Sequence, residues 1–139
     1  MEISVSQSII TAEAAMFMAE AAVAKAKALN ILINVEVVDS SGIPVAFLRM
    51  PGAFLHSIDI AKDKAYTAVS FGLATDKWQE IFEKEEMLKL GMPHRDRLVV
   101  FGGGVPIEID NTVIGGIGVS GGSAEQDIEC AKAGISAIV

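Results

Sequence analysis

Glycine is concentrated between residues 101 and 127, in the segment FGGGVPIEIDNTVIGGIGVSGGSAEQD, which holds eight of the thirteen glycines of the chain. Two β-rich runs, residues 105–109 and 113–119, are joined there by Asp110-Asn111, a pattern typical of a β-hairpin with a short polar turn. Glycine adopts positive φ without strain and lets another group approach the backbone closely. The segment therefore predicts a hairpin that can pack against a neighbouring element at short distance.

The second strand of this hairpin leads into a helix predicted over residues 124–139. Ser123 and Gln126 form a capping-box pattern, which marks the start of the helix. A helix N-terminus presents unpaired N–H donors, and a carboxylate or phosphate is well placed beside them. We therefore expect Gly121, Gly122 and Ser123 to form an anion-binding loop, with close packing of hairpin and helix as the alternative role of the glycines.

The glycines do not match a nucleotide-binding motif. Gly116-Ile117-Gly118 lies within a predicted strand, whereas the dinucleotide fingerprint requires a turn that opens a helix. The chain also has no Gly-Lys-Ser/Thr element of a phosphate-binding loop.

The composition indicates one domain, residues 1–139, that is rich in small apolar residues. Hydrophobic residues make up 51% of the chain and the mean hydropathy is +0.45. Such a chain can fill its core and still expose apolar surface, so we expect it to associate with itself.

The net charge of −7 and the pI of about 4.7 make nucleic acid an unexpected partner. The sequence shows neither a signal-peptide pattern nor an apolar run of membrane-spanning length. We expect a soluble, cytoplasmic protein with no membrane contact, in which the lone Cys130 is a buried thiol.

Periodicity and turn chemistry predict an α+β domain with the element order α-β-β-α-α-β-β-β-α. The predicted sheet is antiparallel and has five strands. The helices are expected at 4–29, 58–71, 76–84 and 124–139, and the strands at 33–38, 43–50, 98–101, 105–109 and 113–119. Ile10, Ala14 and Phe17 begin the face that the first helix is expected to bury. Ser57 and Thr75 are the expected caps of the second and third helices.

Only two histidines are present, His56 and His94, so a zinc site within one chain is weakly supported. No nucleophile elbow is visible. His94 lies in the one segment without a period and is followed by Arg95 and Arg97. That cluster could bind an anionic ligand, or could give haem iron an axial ligand while arginine meets a propionate. His56 precedes a helix and is a weaker candidate of the same kind.

Three stretches resemble one known family. They are VVDSSGIPVAFLRM, IAKDKAYTAVSFG and GGGVPIEIDNTVIGGIGVSGGSAEQD. In this order they are similar to the GlcG/HbpS family of small haem-associated domains, which includes the C-terminal domain of PduO-type corrinoid adenosyltransferases. The resemblance covers nearly the whole chain. The matching positions are Asp39, Gly42, Lys64-Ala65, Thr67-Ala68, Gly103-Gly104, Pro106-Ile107, Gly116, Gly118 and Asp127.

The resemblance implies a profilin-like fold with a five-stranded antiparallel sheet. It also implies a homo-oligomer, for which we expect four to eight subunits, and haem or another tetrapyrrole as ligand of some members. Other members are neighbours of glycolate, diol or glycerol catabolism genes. The iron ligand is not constant in the family, so His94 as the metal ligand is a prediction from its chemistry alone.

The leading hypothesis is a small-ligand-binding protein, more plausibly not an enzyme, that holds haem or a related tetrapyrrole at a subunit boundary. Backbone donors of the glycine-rich segment, Gly103, Gly104, Gly121 and Gly122 with Ser123, would meet its carboxylates together with the two arginines. One alternative is an enzyme or accessory that acts on a small hydroxy acid or aldehyde, with His94 as general acid or base. A structural partner in an assembly is another.

Overall fold

A four-stranded antiparallel sheet forms the centre of the protein in the computed structural model, which describes residues 1–139. Its strands are β1 (Asn34–Asp39), β2 (Pro44–Arg49), β3 (Gly104–Ile109) and β4 (Thr112–Ser120), in the spatial order β2-β1-β4-β3. Both predicted hairpins are present, β1 with β2 and β3 with β4. The longest strand, β4, returns to pair with β1 and so joins the two hairpins into one sheet.

Five helices accompany the sheet. They are α1 (Ala12–Ala28), α2 (His56–Phe71), α3 (Trp78–Lys84), α4 (Glu86–Gly91) and α5 (Ala124–Ser136), with short 3-10 turns at Thr75–Lys77 and Met92–His94. None of the helices combines the length and the apolar character needed to cross a membrane. The predicted α+β class is confirmed.

One face of the sheet carries the hydrophobic core, which it shares with α1 and α5. Alternate residues of β1 and β4, such as Val35 and Ile117, point into it and meet Met18 of α1 and Cys130 of α5. All four are fully buried. The expectation of a buried cysteine is therefore confirmed.

The opposite face of the sheet is covered by α2, which lies unusually close to β4. A Cβ on Gly116 would stand 2.7 Å from the carbonyl oxygen of Ala65, and one on Gly118 would collide with the carbonyl oxygen of Ala61. Because glycine has no Cβ, the helix backbone can rest almost directly on the strand backbone. The close approach predicted for the glycine-rich hairpin is thus made by α2.

The prediction of a strand over residues 98–101 is wrong, so the sheet has four strands and not five. The predicted profilin-like order is therefore not confirmed. This segment is irregular and bonds to α2 instead of to a strand. The Thr67 hydroxyl accepts a hydrogen bond from the N–H of Val99 (3.1 Å) and donates one to the carbonyl oxygen of Arg97 (2.9 Å). The hydroxyl of Thr67 therefore forms the hydrogen bonds that a neighbouring strand would otherwise make with this backbone.

The first helix begins later than predicted and buries a different face. It starts at Ala12, and the Thr11 hydroxyl caps it by accepting the N–H of Ala14 at 3.1 Å. The residues that it buries are Ala15, Met18, Ala19, Ala22 and Ala26, while Phe17, predicted to point inward, is 59% exposed. Small alanines on the inner face let α1 lie close to the sheet and leave the larger apolar side chains outside.

The α2 face of the sheet also buries a carboxylate with an unsatisfied oxygen. Glu36 of β1 is 1% exposed, and its Oε2 has no hydrogen-bond partner. Burial raises the pKa of Glu36 above its ordinary 4.5, although Lys62 and Arg97 oppose the shift. A buried carboxylate disfavours its charged form.

We expect Glu36→Gln to raise the Tm at neutral pH by a few degrees, because the variant no longer ionises a buried group. The folded-state pKa lies above that of the unfolded chain, so the ionisation penalty is absent below pH 4.5 and grows as the pH rises through the folded pKa. Thermal unfolding at acidic and neutral pH checks this. Glu108→Gln, on an exposed strand position, is the control, and an equal response of both variants would contradict the assignment.

Candidate functional site

A lysine buried between α2 and the sheet is the centre of the candidate site. Lys64 is 1% exposed. Its Nζ donates to the carbonyl oxygen of Val119 at 2.8 Å and to Oδ2 of Asp127 at 3.0 Å. An ammonium carries three hydrogens, so one of them has no protein acceptor. The pair links α2 to the end of β4 and to the first turn of α5.

The glycine loop between β4 and α5 already holds an anion, which is the chain's own Asp127. Oδ1 of Asp127 accepts the N–H of Gly122 at 2.8 Å, and the backbone amides of Gly122 and Gly121 both act to lower the pKa of this carboxylate. Gly121 has φ +153° and lies against the carbonyl oxygen of Leu32, where a side chain would not fit. The anion site expected here is therefore filled from within.

The predicted capping box is present beside this loop. The hydroxyl of Ser123 accepts the N–H of Gln126 at 3.2 Å, and Oε1 of Gln126 accepts the N–H of Ser123 at 2.9 Å. These bonds satisfy two of the donors that were expected to be available to a ligand.

Burial shifts the pKa values of both charged partners toward each other. Desolvation lowers the pKa of Lys64 and raises that of Asp127, while the attraction between the two charges opposes both shifts. The proton of the pair can therefore move between Nζ and the carboxylate at a lower cost than in water.

A cavity of about 150 Å³ lies beside the pair. Its lining includes Phe54, Ser57, Lys64, Phe101 and Asp127, with Gly121 and Gly122. The ring of Phe101 lies 5.2 Å from Nζ of Lys64, and this side chain is half exposed. The cavity thus combines an amine, a carboxylate and aromatic walls in a small volume.

The hydroxyl of Ser57 adds a further polar group to the cavity. Ser57 was expected to cap α2, but that helix starts one residue earlier, at His56, and has no side-chain cap. The residue is 6% exposed, and its hydroxyl has no hydrogen-bond partner in the chain.

Thr75, the other residue that was expected to cap a helix, is buried, and its hydroxyl accepts the N–H of Gly104 at 2.9 Å.

A second cavity, of about 210 Å³, lies on the outer side of α2 and contains the predicted arginines. Tyr66, Phe71, Met92, Arg95 and Arg97 are among its lining residues. The Arg97 guanidinium stacks 3.8 Å from the centre of the Tyr66 ring, and its Nε donates to Oδ1 of Asp63 at 2.9 Å. Arg95 makes no ion pair.

The structure separates the predicted site residues into two groups. His94 ends the 3-10 turn that precedes the arginines and is exposed, beside the second cavity. Gly121 and Gly122 line the first one. Neither cavity is lined by residues of both groups, so the two arginines and the glycine loop do not form the single ligand site that was expected of them.

Gly103 and Gly104 are buried within the fold. The carbonyl oxygen of Gly103 accepts the N–H of Val119 at 2.9 Å, and Gly104 belongs to β3. Side chains at these two positions would collide with atoms of Lys64. Both glycines make room for the buried lysine.

Sequence reasoning did not find the Lys64–Asp127 pair as a site. The sequence analysis named Lys64 only as a position that matches the family. Its spacing carried a signal of burial, because it stands three residues after Ala61 and four before Ala68, which are both fully buried. Three- and four-residue spacing places side chains on one helix face.

No group of three or more His, Cys, Asp or Glu side chains is arranged to hold a metal ion. The metal-binding role predicted for His94 therefore concerns only an ion that brings most of its own ligands, as haem iron does.

Comparisons with known sequences find close relatives over most of the chain. A family profile described as "Haem degrading protein HbpS-like" matches residues 10–136. A protein of Citrobacter freundii, named as an uncharacterized 15.0 kDa protein in the dhaT-dhaS intergenic region, is 40% identical over 119 residues, which are 85% of this chain and 84% of that protein. The corrinoid adenosyltransferase PduO of Salmonella typhimurium is 39% identical over 85% of this chain, but over only 35% of its own length. The chain thus spans about a third of PduO.

Solved structures include two with very similar folds. The Klebsiella pneumoniae protein ORFY superposes with a TM-score of 0.90 and 34% identity, covering 99% of this chain and 95% of that one. The crystal structure of a PduOC:heme complex superposes with a TM-score of 0.86 and 34% identity, covering 94% of this chain and 95% of that one.

We expect Asp127→Ala to reduce the free energy of unfolding by about 3–5 kcal/mol, because it leaves the Lys64 ammonium buried without its counter-ion. Glu129→Ala is the matched control on the same helix. Its side chain is 54% exposed and lies 3.9 Å from Lys25, so its loss should cost at most about 1 kcal/mol. Urea unfolding of both variants measures the difference, and equal midpoints would show that the buried pair does not stabilise the fold.

Proposed function

The chain belongs to the HbpS-like family of haem-degrading proteins, and on this basis we propose that it is a haem-binding accessory protein. The observation that carries the proposal is its similarity to the PduOC:heme complex, which extends over 94% of the chain. The activity of whole PduO is not part of the proposal. A cytoplasmic location remains a prediction from the sequence.

The outer side of α2 offers the groups that a haem would need. His94 is exposed and can supply an axial nitrogen. Arg95 has no ion pair and is available to a propionate, whereas Arg97 is held by Asp63. When bound, haem would supply an iron centre for ligand binding and redox chemistry. The protein groups would bind and orient it.

A subunit boundary fits the size of this cavity. At about 210 Å³ it lies below the roughly 300–1,000 Å³ of ordinary ligand pockets, so one chain cannot enclose a macrocycle there. The neighbouring helix α4 exposes Met87 and Leu90, at 76% and 59%. A second copy laid over this apolar surface would cover the other face of the ring.

His56 is the competing axial ligand. It is the exposed first residue of α2, and the two residues before it, Phe54 and Leu55, are 69% and 75% exposed. These apolar side chains could also cover part of a macrocycle.

Self-association is the second part of the proposal. The outer side of α1 exposes Phe17 (59%) and Met16 (38%), and Ile9 just before the helix is 54% exposed. Apolar groups so close together favour contact with another surface. We expect a homo-oligomer of four to eight copies, in which α1 contributes to one interface.

Haemin titration of the purified apoprotein tests the ligand, with a sharp Soret band as the expected result. His94→Ala should lower the affinity by about tenfold or more, on the order of 1.4 kcal/mol, or should change the spin state, because it removes the axial nitrogen. His56→Ala is the matched control and should do neither.

The reverse pattern would move the axial ligand to His56. A Soret band unchanged in both variants would point to another ligand atom, and absence of a Soret band in the wild-type protein would refute haem binding.

Sedimentation velocity at micromolar concentration tests the oligomer. We expect a mass several times that of one 14.6 kDa chain, and a smaller mass for Phe17→Glu, because a buried charge opposes an apolar contact. Glu20→Gln, on an exposed position of the same helix, should keep the wild-type mass. A monomeric wild-type protein would refute the proposal.

A further inference from the structure

The cavity at Lys64 has chemistry that haem binding does not use. Haem is far too large for about 150 Å³, since an engineered cavity of that volume holds one benzene molecule. A ligand of about six non-hydrogen atoms is therefore the upper limit. Lys64 lines this space as a nearly fully buried amine.

We infer that the cavity is a site for a small aldehyde or ketone, whose carbonyl carbon is attacked by Nζ of Lys64 to form an imine. Buried lysines with a lowered pKa are the amines that proteins use for Schiff-base chemistry. The other side chains around Lys64 supply the remaining requirements of the reaction.

The first requirement is a neutral amine. Oδ2 of Asp127 lies 3.0 Å from Nζ and can take the ammonium proton. Burial lowers the pKa of Lys64 and raises that of Asp127, so both shifts favour this transfer. The carbonyl oxygen of Val119 still accepts an N–H and holds the amine in place.

The second requirement is the exchange of oxygen for nitrogen at the carbonyl carbon. The lone pair of Nζ forms the C–N bond while the C=O π bond breaks, and the oxygen takes a proton from that nitrogen to become the hydroxyl of a carbinolamine. That hydroxyl then leaves with the proton held by Asp127, so one water is released and no oxidant or reductant is consumed. The Ser57 hydroxyl, which has no partner in the chain, is available to the substrate oxygen within the same cavity.

The third requirement is access. Phe101 covers the amine, with its ring 5.2 Å from Nζ. This residue is 49% exposed and belongs to the irregular segment before β3. Its side chain can turn outward without breaking a strand or helix, which opens a path from solvent.

Reductive trapping of the wild-type protein tests the inference. The protein is incubated with glycolaldehyde and cyanoborohydride, which converts an imine into a stable secondary amine, and peptide mass spectrometry then measures modification at each of the eight lysines. We expect Lys64 to be labelled at least about tenfold faster than Lys62, because a lowered pKa leaves more of its amine neutral. Pyridoxal phosphate, too large for the cavity, should label exposed lysines and spare Lys64.

Two variants that keep the ion pair strengthen the test. Phe101→Ala should increase the labelling rate of Lys64, and Ser57→Ala should reduce it, while neither changes labelling of Lys62. Labelling confined to exposed lysines with both aldehydes would overturn the inference. So would labelling of Lys64 only in Phe101→Ala, because the native amine would then be out of reach. Haemin titration of the same preparations shows separately whether the haem proposal stands.

Discussion

The ion pair between Lys64 and Asp127 connects helix α2 to strand β4 and helix α5, and the packing of these elements depends on it. A buried ammonium is tolerated only with a counter-charge and hydrogen-bond acceptors, and this one takes them from Val119 at the end of β4 and from α5. Asp127 in turn holds the loop between these elements through Gly122. The buried ammonium of Lys64 therefore stabilises the conformation of the loop between β4 and α5 through Asp127.

The two faces of the sheet have different physical roles. One face meets α1 and α5 through apolar side chains and supplies the core. The other meets α2 through the glycines of β4 and buries Asn34, Glu36 and Lys64. Apolar contact on the first face stabilises the fold, which allows the second to keep polar groups, two of whose oxygens have no partner. The candidate chemistry accordingly lies along α2.

Features specified by neighbouring residues could be predicted from the sequence, and features specified by tertiary packing could not. Both hairpins and the Ser123 capping box depend on local turn and cap chemistry, and all are present. The run at residues 98–101 looks like a strand, but Thr67, about thirty residues away, takes its hydrogen bonds. The prediction of the buried face of α1 was also wrong. Apolar residues occur on all sides of this helix, so their spacing does not indicate which side is buried.

For the candidate sites, too, local features could be predicted from the sequence and tertiary contacts could not. The sequence identified the arginines and the glycine loop as polar or flexible elements, yet it could not show that Asp127 fills the loop or that Lys64 faces inward. Both facts depend on how closely α2 approaches β4, which only the absence of side chains at Gly116 and Gly118 permits.

Helix α2 separates the two candidate sites and forms a wall of each. Ser57 and Lys64 lie two turns apart on its inner side, while Tyr66 and Ser70 line the outer cavity. A ligand on one side could affect the other only by moving the helix. The close backbone contact with β4 opposes movement of the helix toward that strand. We therefore expect the proposed small carbonyl compound on the inner side and the proposed haem on the outer side to bind independently of each other.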